Sequence, residues 1–371
     1  MDASPFEEQE LTYLRQSFIS HGTYSFGRSD PPSASPLYSW LALQAAEDQE
    51  VLKLVMHANT RPQRPHMLFA AVQYLLLSGI QDPLRDFYPN LTEQPHPRVE
   101  AYPTFRAFCL RHAAEVRHLV TTYGVQNNEV GRCSDLLLAF NMVAQRGGGR
   151  PLAMIELGPS AGLNMLWDLY GYNYGIAGPV GDQNAPVQLY CEPRGELLPP
   201  VPRDIPMVGW RMGIDLNPID IHDDHAVRWL RALIWPEHRE RAQRIELAMA
   251  MARQQTLTIV AGDAVDHLPT ILAQVPANMT LCIYHSYALN QTPSPVRERI
   301  FAQIEHFAAQ RELFRVSEEW YANMKQAELE LFTYHHRQVQ HERLAICESH
   351  GRWLKWLAGT TQDTIAREMG T

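Results

Sequence analysis

From residue 152 to residue 318, short apolar runs alternate with stretches of helical periodicity, and few architectures accept that texture. The runs at 152–157, 208–216, 257–262, 279–285 and 313–318 are apolar along most of their length. That is how strands covered on both faces read. Helical stretches follow most of them, at 161–170, 224–235 with 236–253, 264–274 and 295–310. A strand returning parallel to its neighbour needs a crossover of about that length, so the pattern predicts βαβ units around a parallel sheet. Two further strands, 327–334 and 344–348, close the chain without a helix between them. In the first, Glu328 and Glu330 alternate with Leu329 and Leu331, a period of two that predicts an antiparallel hairpin.

The first part of the chain has a different grain. Residues 7–20, 36–59, 104–122 and 128–145 carry apolar residues at helical spacing, and 67–77 is apolar nearly all round, as a buried helix is. Proline-rich connectors at 61–65 and 88–103 separate them. The change of texture falls at Gly147-Gly148-Gly149. The chain therefore reads as a helical region over 1–147 that caps or lids an α/β domain over 148–371. A Gly- and Pro-rich insertion at 171–207 lies within that domain.

Net charge and cysteine usage narrow the partners. A net charge of -9 argues against nucleic acid held by bulk electrostatics. The acidic first ten residues lack the basic and apolar segments of a secretion signal. The longest apolar run, 67–80, contains Gln73 and is too short for a bilayer. Five scattered cysteines (Cys109, Cys133, Cys191, Cys282, Cys347) form no CxxC pair, so neither a metal knuckle nor a disulfide framework is expected. These features point to the cytoplasm, with no membrane and no metal.

The most informative segment runs from Glu156 and Leu157 through Gly158-Pro159-Ser160-Ala161-Gly162 to Asn164. A buried strand enters a turn with Gly158, and Gly162 lies in the first turn of the expected helix. Glycine lets backbone approach a ligand, and a helix N-terminus offers free N–H donors. The segment lacks the full GxGxxG of dinucleotide enzymes and the Gly-Lys-Ser/Thr of a P-loop. It suits the methionine end of S-adenosylmethionine, with Glu156 ordering the loop. The plainer reading is a tight strand-to-helix connection. The same letters also spell GxSxG around Ser160, the nucleophile elbow of an α/β-hydrolase, with Asp263 and His285 or His350 in the right order. Against that, a hydrolase needs several strands before its elbow.

Two later strand ends favour a nucleoside. Asp215, followed by Asn217, ends the second strand where an acid receives ribose hydroxyls. Asp263 and Ala264 end the third, where they suit the adenine amino group. Singly, each acid is as easily a helix cap or turn former. The fourth strand ends in His285 and Tyr287, the expected contacts for a small or medium acceptor, with His285 a possible general base or simply a backbone-bonded histidine. Asn128, Glu129 and Arg132 with Tyr102 and Phe105 form a candidate substrate lid. The plainer reading of the first three is a capped helix start with a surface i,i+3 pair. His335, His336 and His341 sit on a predicted hairpin rather than around a metal.

Four strings resemble one bacterial family of unknown function, DUF2332. They are Asn128 to Arg132, Glu156-Leu157-Gly158 with Ser160-Ala161-Gly162-Leu163-Asn164, Gly213 to Pro218, and His350-Gly351-Arg352-Trp353. The resemblance runs from about Pro36 to Trp356 and implies a methyltransferase-like fold, with no substrate and no verified catalytic residue. The expectation is an α/β protein with a Rossmann-like class I methyltransferase sheet, a C-terminal antiparallel hairpin and an all-helical N-terminal region. Its cofactor would be S-adenosylmethionine. The alternatives are a nucleoside-binding protein that performs no methylation and the Ser160 hydrolase.

Overall fold

The computed structural model describes residues 5–27, 34–320, 324, 326–335 and 338–362, with side chains from 6 to 357. Six helices come first: α1 (Pro5–Ser20), α2 (Pro36–Ala45), α3 (Gln49–Leu52), α4 (Arg64–Leu77), α5 (Ala101–Arg111) and α6 (Ala113–Thr122). Next come α7 (Cys133–Arg146), β1 (Leu152–Leu157), β2 (Gly171–Asn173), β3 (Pro179–Val180), β4 (Gln188–Tyr190), β5 (Glu192–Arg194) and β6 (Val208–Asp215). The rest is α8 (Asp224–Ala232), α9 (Arg239–Ala252), β7 (Ile259–Ala261), α10 (Ala264–Leu272), β8 (Thr280–Ser286), α11 (Ser294–Ala308), β9 (Leu313–Glu319), β10 (Ala327–His335), β11 (Gln338–Cys347) and β12 (Trp353–Gln362). The chain forms two compact units, Met1–Asn127 with His222–Ile245, and Asn128–Ile221 with Glu246–Thr371.

The helical unit is built around α4, whose buried face runs almost all round the helix as its sequence predicts. Phe69 stacks on Tyr38 with centroids 4.5 Å apart. The one polar residue in the middle of α4, Gln73, donates to the carbonyls of Ala232 and Ile234 at 3.0 and 2.6 Å. Those carbonyls lie at the end of α8 and two residues past it, so α8 is a member of this core rather than a simple crossover helix of the sheet. Trp229 carries it there, buried in the same cluster and donating its indole N–H to Gly124 O at 2.8 Å. A large aromatic with a satisfied polar edge outweighs what the order of elements along the chain suggests.

The second unit holds a nine-stranded sheet in the order β5-β12-β11-β10-β9-β8-β1-β6-β7. The strands β7-β6-β1-β8-β9 pair parallel, and β9 through β12 pair antiparallel. The chain works outward from β1 to one side and then jumps back to lay β8 on the other. The strand order therefore reverses between β1 and β8. Ala153, Ile155 and Leu157 of β1 pack with α10 and α11 on one face. On the other, Phe140 of α7 lies 5.0 Å from Tyr284 and 4.8 Å from Trp167. That packing draws α7 and the residues from Asn128 onward into the sheet's unit, ahead of the texture change at Gly147.

The sequence pattern predicts two antiparallel strands here and the structure has three. β11 begins at Gln338 and β12 comes after it, with β5 pairing parallel on β12's far edge. The extra length is polar because it is held by cross-strand pairs rather than apolar alternation: Arg343 Nε donates to Glu328 at 2.6 Å and His341 meets Glu330 at 2.8 Å. His341 is thus a hydrogen-bond partner of Glu330 stacked on Phe332, and among the described residues no group of His, Cys, Asp and Glu is arranged to hold a metal. His336 lies outside the described residues. In the 171–207 insertion, β2, β3 and β4 form a small separate sheet. All five cysteines are free and buried, and no helix among the described residues is long and apolar enough to cross a membrane.

Candidate functional site

β1 is buried along its whole length and ends in a turn where three of five residues take left-handed backbone: Gly158 (φ 76°), Ser160 (φ 57°) and Gly162 (φ 75°). For Ser160 that conformation costs on the order of 1–3 kcal/mol, so something must hold it. Asp215 does. Its Oδ2 accepts the Ser160 amide at 2.7 Å and its Oδ1 accepts the Asn217 amide at 2.8 Å, while its carbonyl accepts the Gly262 amide at 2.9 Å. The carboxyl ends of β1, β6 and β7 are laced together through this one residue. Both oxygens are engaged, and each keeps a lone pair for a further donor.

The structure thus brings the glycine turn and Asp215 together, as the sequence predicts, but in direct contact. Beyond the turn it departs from expectation. The expected helix over 161–170 is a 3₁₀ run, Leu163–Leu169, kinked at Leu166, so no α-helical N-terminus faces the turn. Its first free amide, that of Leu163, donates instead to the Asn128 side chain at 3.1 Å. Gly162 is packed against Ile259 and Leu257, and Asn164 is buried with the Cys133 thiol 3.5 Å from its Oδ1. Asp263 caps α10 by accepting the Val265 amide at 2.8 Å, and Ala264 opens that helix.

The loop after β8 carries the only other non-glycine residue with positive φ among the described residues, Tyr287 at φ 53°. The two strained residues therefore flank the point where the strand order reverses, which in open α/β sheets is where ligands bind. The loops touch: a Cβ on Gly158 would stand 2.5 Å from that of Ala288. Over this place lies Arg132, buried, with its guanidinium 3.9 Å from the centre of the Tyr287 ring and its Nε donating to Ser349 O at 2.9 Å. Glu129, also buried, caps the short turn Val130–Arg132 through the Gly131 amide at 3.1 Å. Neither is on the surface as an i,i+3 pair would be. The backbone approach that seats them is close: a Cβ on Gly131 would lie 2.1 Å from His350 O.

His285 is placed differently from the acceptor contact expected of it. It lies fully buried, its Nδ1 2.7 Å from Glu319 Oε1 and its Nε2 3.3 Å from the Arg315 guanidinium. Because arginine only donates, Nε2 is the acceptor and Nδ1 carries the proton, so both ring nitrogens are in use. Ser160 Oγ has no hydrogen-bond partner, so no Ser–His pair exists at the GxSxG turn, and among the described residues no strand of the large sheet precedes β1. Tyr102 donates to Asp48 at 3.0 Å and Phe105 is fully buried in the helical unit's core, so neither is grouped with Asn128, Glu129 and Arg132 in one unit.

Besides Glu156, expected at the turn, the site holds carboxyls that sequence reasoning passes over: Glu318, Asp135 and Glu348. Glu156 is buried and accepts the Tyr284 hydroxyl at 2.9 Å; burial, with Asp215 adding to it, pushes its carboxyl up to about 8 despite Tyr284 and Arg132. Glu318, at the end of β9, is fully buried and is likewise pushed up to about 8, by burial and by Glu319 and Glu348, against Arg132 and Ser286. Burial also raises Asp135, with Glu318 and Glu348 adding to it. Burial would raise Glu348 too, but hydrogen bonds and charge from His350 and Arg352 outweigh it and hold that carboxyl well below the usual range. The signal for Glu318 was available in the rule applied to Asp215 and Asp263, an acid ending an apolar strand.

A mixed α/β protein with a large, mostly parallel sheet, a helical N-terminal region and a polar, strained rim beside β1 is the class that fold and site define. Residues 22–356 match the family described as an uncharacterised protein conserved in bacteria, DUF2332, and the chain belongs to that family. Neither a curated protein nor a solved structure matches it.

Proposed function

We propose that the protein is an S-adenosylmethionine-dependent methyltransferase acting on a small or medium acceptor, with β7-β6-β1-β8-β9 as its Rossmann-like half. One observation carries the reading: the Ser160 amide and the Asp215 carboxylate converge at 2.7 Å on the rim beside the β1/β8 reversal. That order matches the first five strands of a doubly wound 3-2-1-4-5-6 sheet, and the sixth parallel strand is replaced by the antiparallel β10–β12.

The residues present fit such a ligand. Asp215 retains acceptor capacity toward ribose hydroxyls, Asp263 stands just past the end of the neighbouring strand, and Gly158 lets the loop after β8 close in beside them through Ala288. The buried Ser160 hydroxyl without a partner is a donor awaiting an acceptor. When bound, the cofactor supplies a methyl carbon on a cationic sulfur, whose bonding electron pair stays with sulfur on transfer. The chain's own part is positional. Asp215 and the turn hold one end, Glu156 stays largely protonated and keeps full negative charge out of the floor, and Tyr287 with Arg132 narrows the approach. Holding the reactants in line contributes much of the rate in such a displacement. The free, buried thiols support a cytoplasmic setting.

Calorimetric titration with S-adenosylmethionine and S-adenosylhomocysteine tests the reading. Saturable binding of both, with subsequent labelled-methyl incorporation into a small-molecule bacterial extract, is expected. Binding without incorporation would leave a nucleoside sensor, and failure of both ligands to bind would end the proposal.

A further inference from the structure

We infer that Glu318 receives the acceptor of this site, and that the group it receives is a basic nitrogen, an ammonium or a guanidinium. The inference rests on the methyltransferase reading only in calling that ligand the acceptor. Glu318 is the last residue but one of β9, one strand beyond β8. Its Oε2 accepts the Ser286 hydroxyl at 3.2 Å and its backbone carbonyl accepts the Tyr287 amide at 3.0 Å, so its place is held by the very loop that carries the strained tyrosine. Its Oε1 has no hydrogen-bond partner although the side chain is fully buried. Buried carboxyl oxygens are nearly always satisfied, and here two are bare, Glu318 Oε1 and Asp135 Oδ2, which leaves acceptor capacity for a donor from outside the chain.

The surroundings choose the donor's charge. The carboxyls that act on Glu318 or are acted on by it are Asp135 from α7 and Glu348 from the turn between β11 and β12, with Glu319 next to it on β9 but turned to His285. The guanidinium of Arg132 also acts on it, but that group lies against the Tyr287 ring and its Nε is engaged by Ser349. An anionic ligand group would add to the charges that already hold the Glu318 carboxyl high, and a neutral hydroxyl would satisfy the hydrogen bond without offsetting them. A cation does both. With the Glu318 carboxyl pushed up to about 8, the bare site retains its proton near neutral pH, and a bound cation would displace it.

The test is calorimetry on the full chain, with and without S-adenosylhomocysteine, using methylguanidinium and butylammonium as cations and butanol and butyrate as neutral and anionic counterparts. The cations should bind at least about tenfold more tightly than butanol, with no binding of butyrate. Near neutral pH, binding should release up to about one proton, read from two buffers of different ionisation heat. Glu318→Gln should weaken the cations by about tenfold or more and leave S-adenosylhomocysteine within about twofold. Should that variant not fold, Ser286→Ala, which frees Oε2 and leaves the charge, should alter cation affinity and proton release without touching the turn after β1. Butanol or butyrate binding as well as the cations, or cations indifferent to both substitutions, would overturn the inference. Cation binding without S-adenosylhomocysteine binding would remove the methyltransferase reading and keep the Glu318 site. The converse result would keep that reading and remove Glu318 from it.

Discussion

His285 and Glu319 meet at 2.7 Å with neither side chain reaching solvent, and the same carboxylate accepts the amides of Ala288, Leu289 and Asn290 at 3.0 to 3.1 Å. The histidine at the end of β8 is therefore part of the scaffold that sets the following loop, and Tyr287 is held by that scaffold. Glu319→Ala leaves three amides and a ring N–H unpaired and should cost about 3–5 kcal/mol in urea unfolding. Glu319→Gln should cost about 1–3 kcal/mol, since only part of the acceptor capacity is lost. A wild-type unfolding midpoint in Glu319→Ala would show that the loop is held by something else.

Asp215→Ala releases the Ser160 and Asn217 amides together. Stability should fall by about 2–4 kcal/mol, and S-adenosylhomocysteine affinity should fall by about tenfold or more in the protein that remains folded. Asp215→Asn, able to accept one amide but facing the other with an NH₂, should lie between. An Asp215→Ala protein that loses stability and keeps full affinity would reduce Asp215 to a structural brace.

Glu156 and Glu318 make a signed pH prediction. Both carboxyls are raised to about 8 in the folded protein, so between the unfolded value near 4.5 and pH 8 unfolding releases protons and stability falls as pH rises. Asp135, also raised, acts in the same sense. Below about 6.5 the buried His66, lowered to about 3, opposes this trend, so pH 6.5 to 8 is the window in which the carboxyls stand alone. Each group contributes up to about 1.4 kcal/mol per pH unit there. Urea midpoints at three pH values should decline in the wild type and decline less steeply in Glu156→Gln and in Glu318→Gln. A wild-type profile that is level across the window contradicts the burial argument.

Gly131→Ala tests the seat of Arg132. With a Cβ 2.1 Å from His350 O, and with Gly131 O in turn 2.0 Å from a Cβ on Gly351, the two backbones cannot both stay. A loss of about 1–3 kcal/mol in urea unfolding is expected. Gly79→Ala is a contrast: there a Cβ meets nothing and the cost comes from the left-handed φ of 99° alone, whereas at Gly131 the cost is steric.

Ser160→Ala separates a ligand-facing hydroxyl from a nucleophile. Its Oγ has no partner, so its removal should leave stability unchanged or raised by up to about 1 kcal/mol. Wild-type protein should take no label from a serine-directed fluorophosphonate, because no histidine is bonded to that oxygen. Stoichiometric labelling abolished by Ser160→Ala would restore the hydrolase.

The parallel half of the sheet was legible because its strands are continuous apolar runs. β1 was predicted to the residue, and β6, β8 and β9 to within one residue at each end. β12 and the first part of β11 were not, because Gln338 to Arg343 is stabilised by partners across the sheet and shows no period along the chain. For the same reason α8 read as a crossover helix, although Trp229 takes it into the helical core. At the rim, Asp215 and the glycine turn were visible in the letters. The positions of His285 and Glu318 were not, since neighbouring strand residues point to opposite faces and only the register decides which face meets which helix.

What the amino-acid order determines by itself is local: where an apolar run begins and stops, where glycine permits a left-handed turn, and that an acid closes each of several strands. Tertiary structure decided which of those acids is consumed as a brace, which is buried bare, and which helices share a core. That division comes from the physics of burial. Backbone preference is set within a few residues, whereas desolvation and hydrogen-bond satisfaction depend on groups brought together from distant parts of the chain, as Arg132, Tyr287 and Glu318 are here.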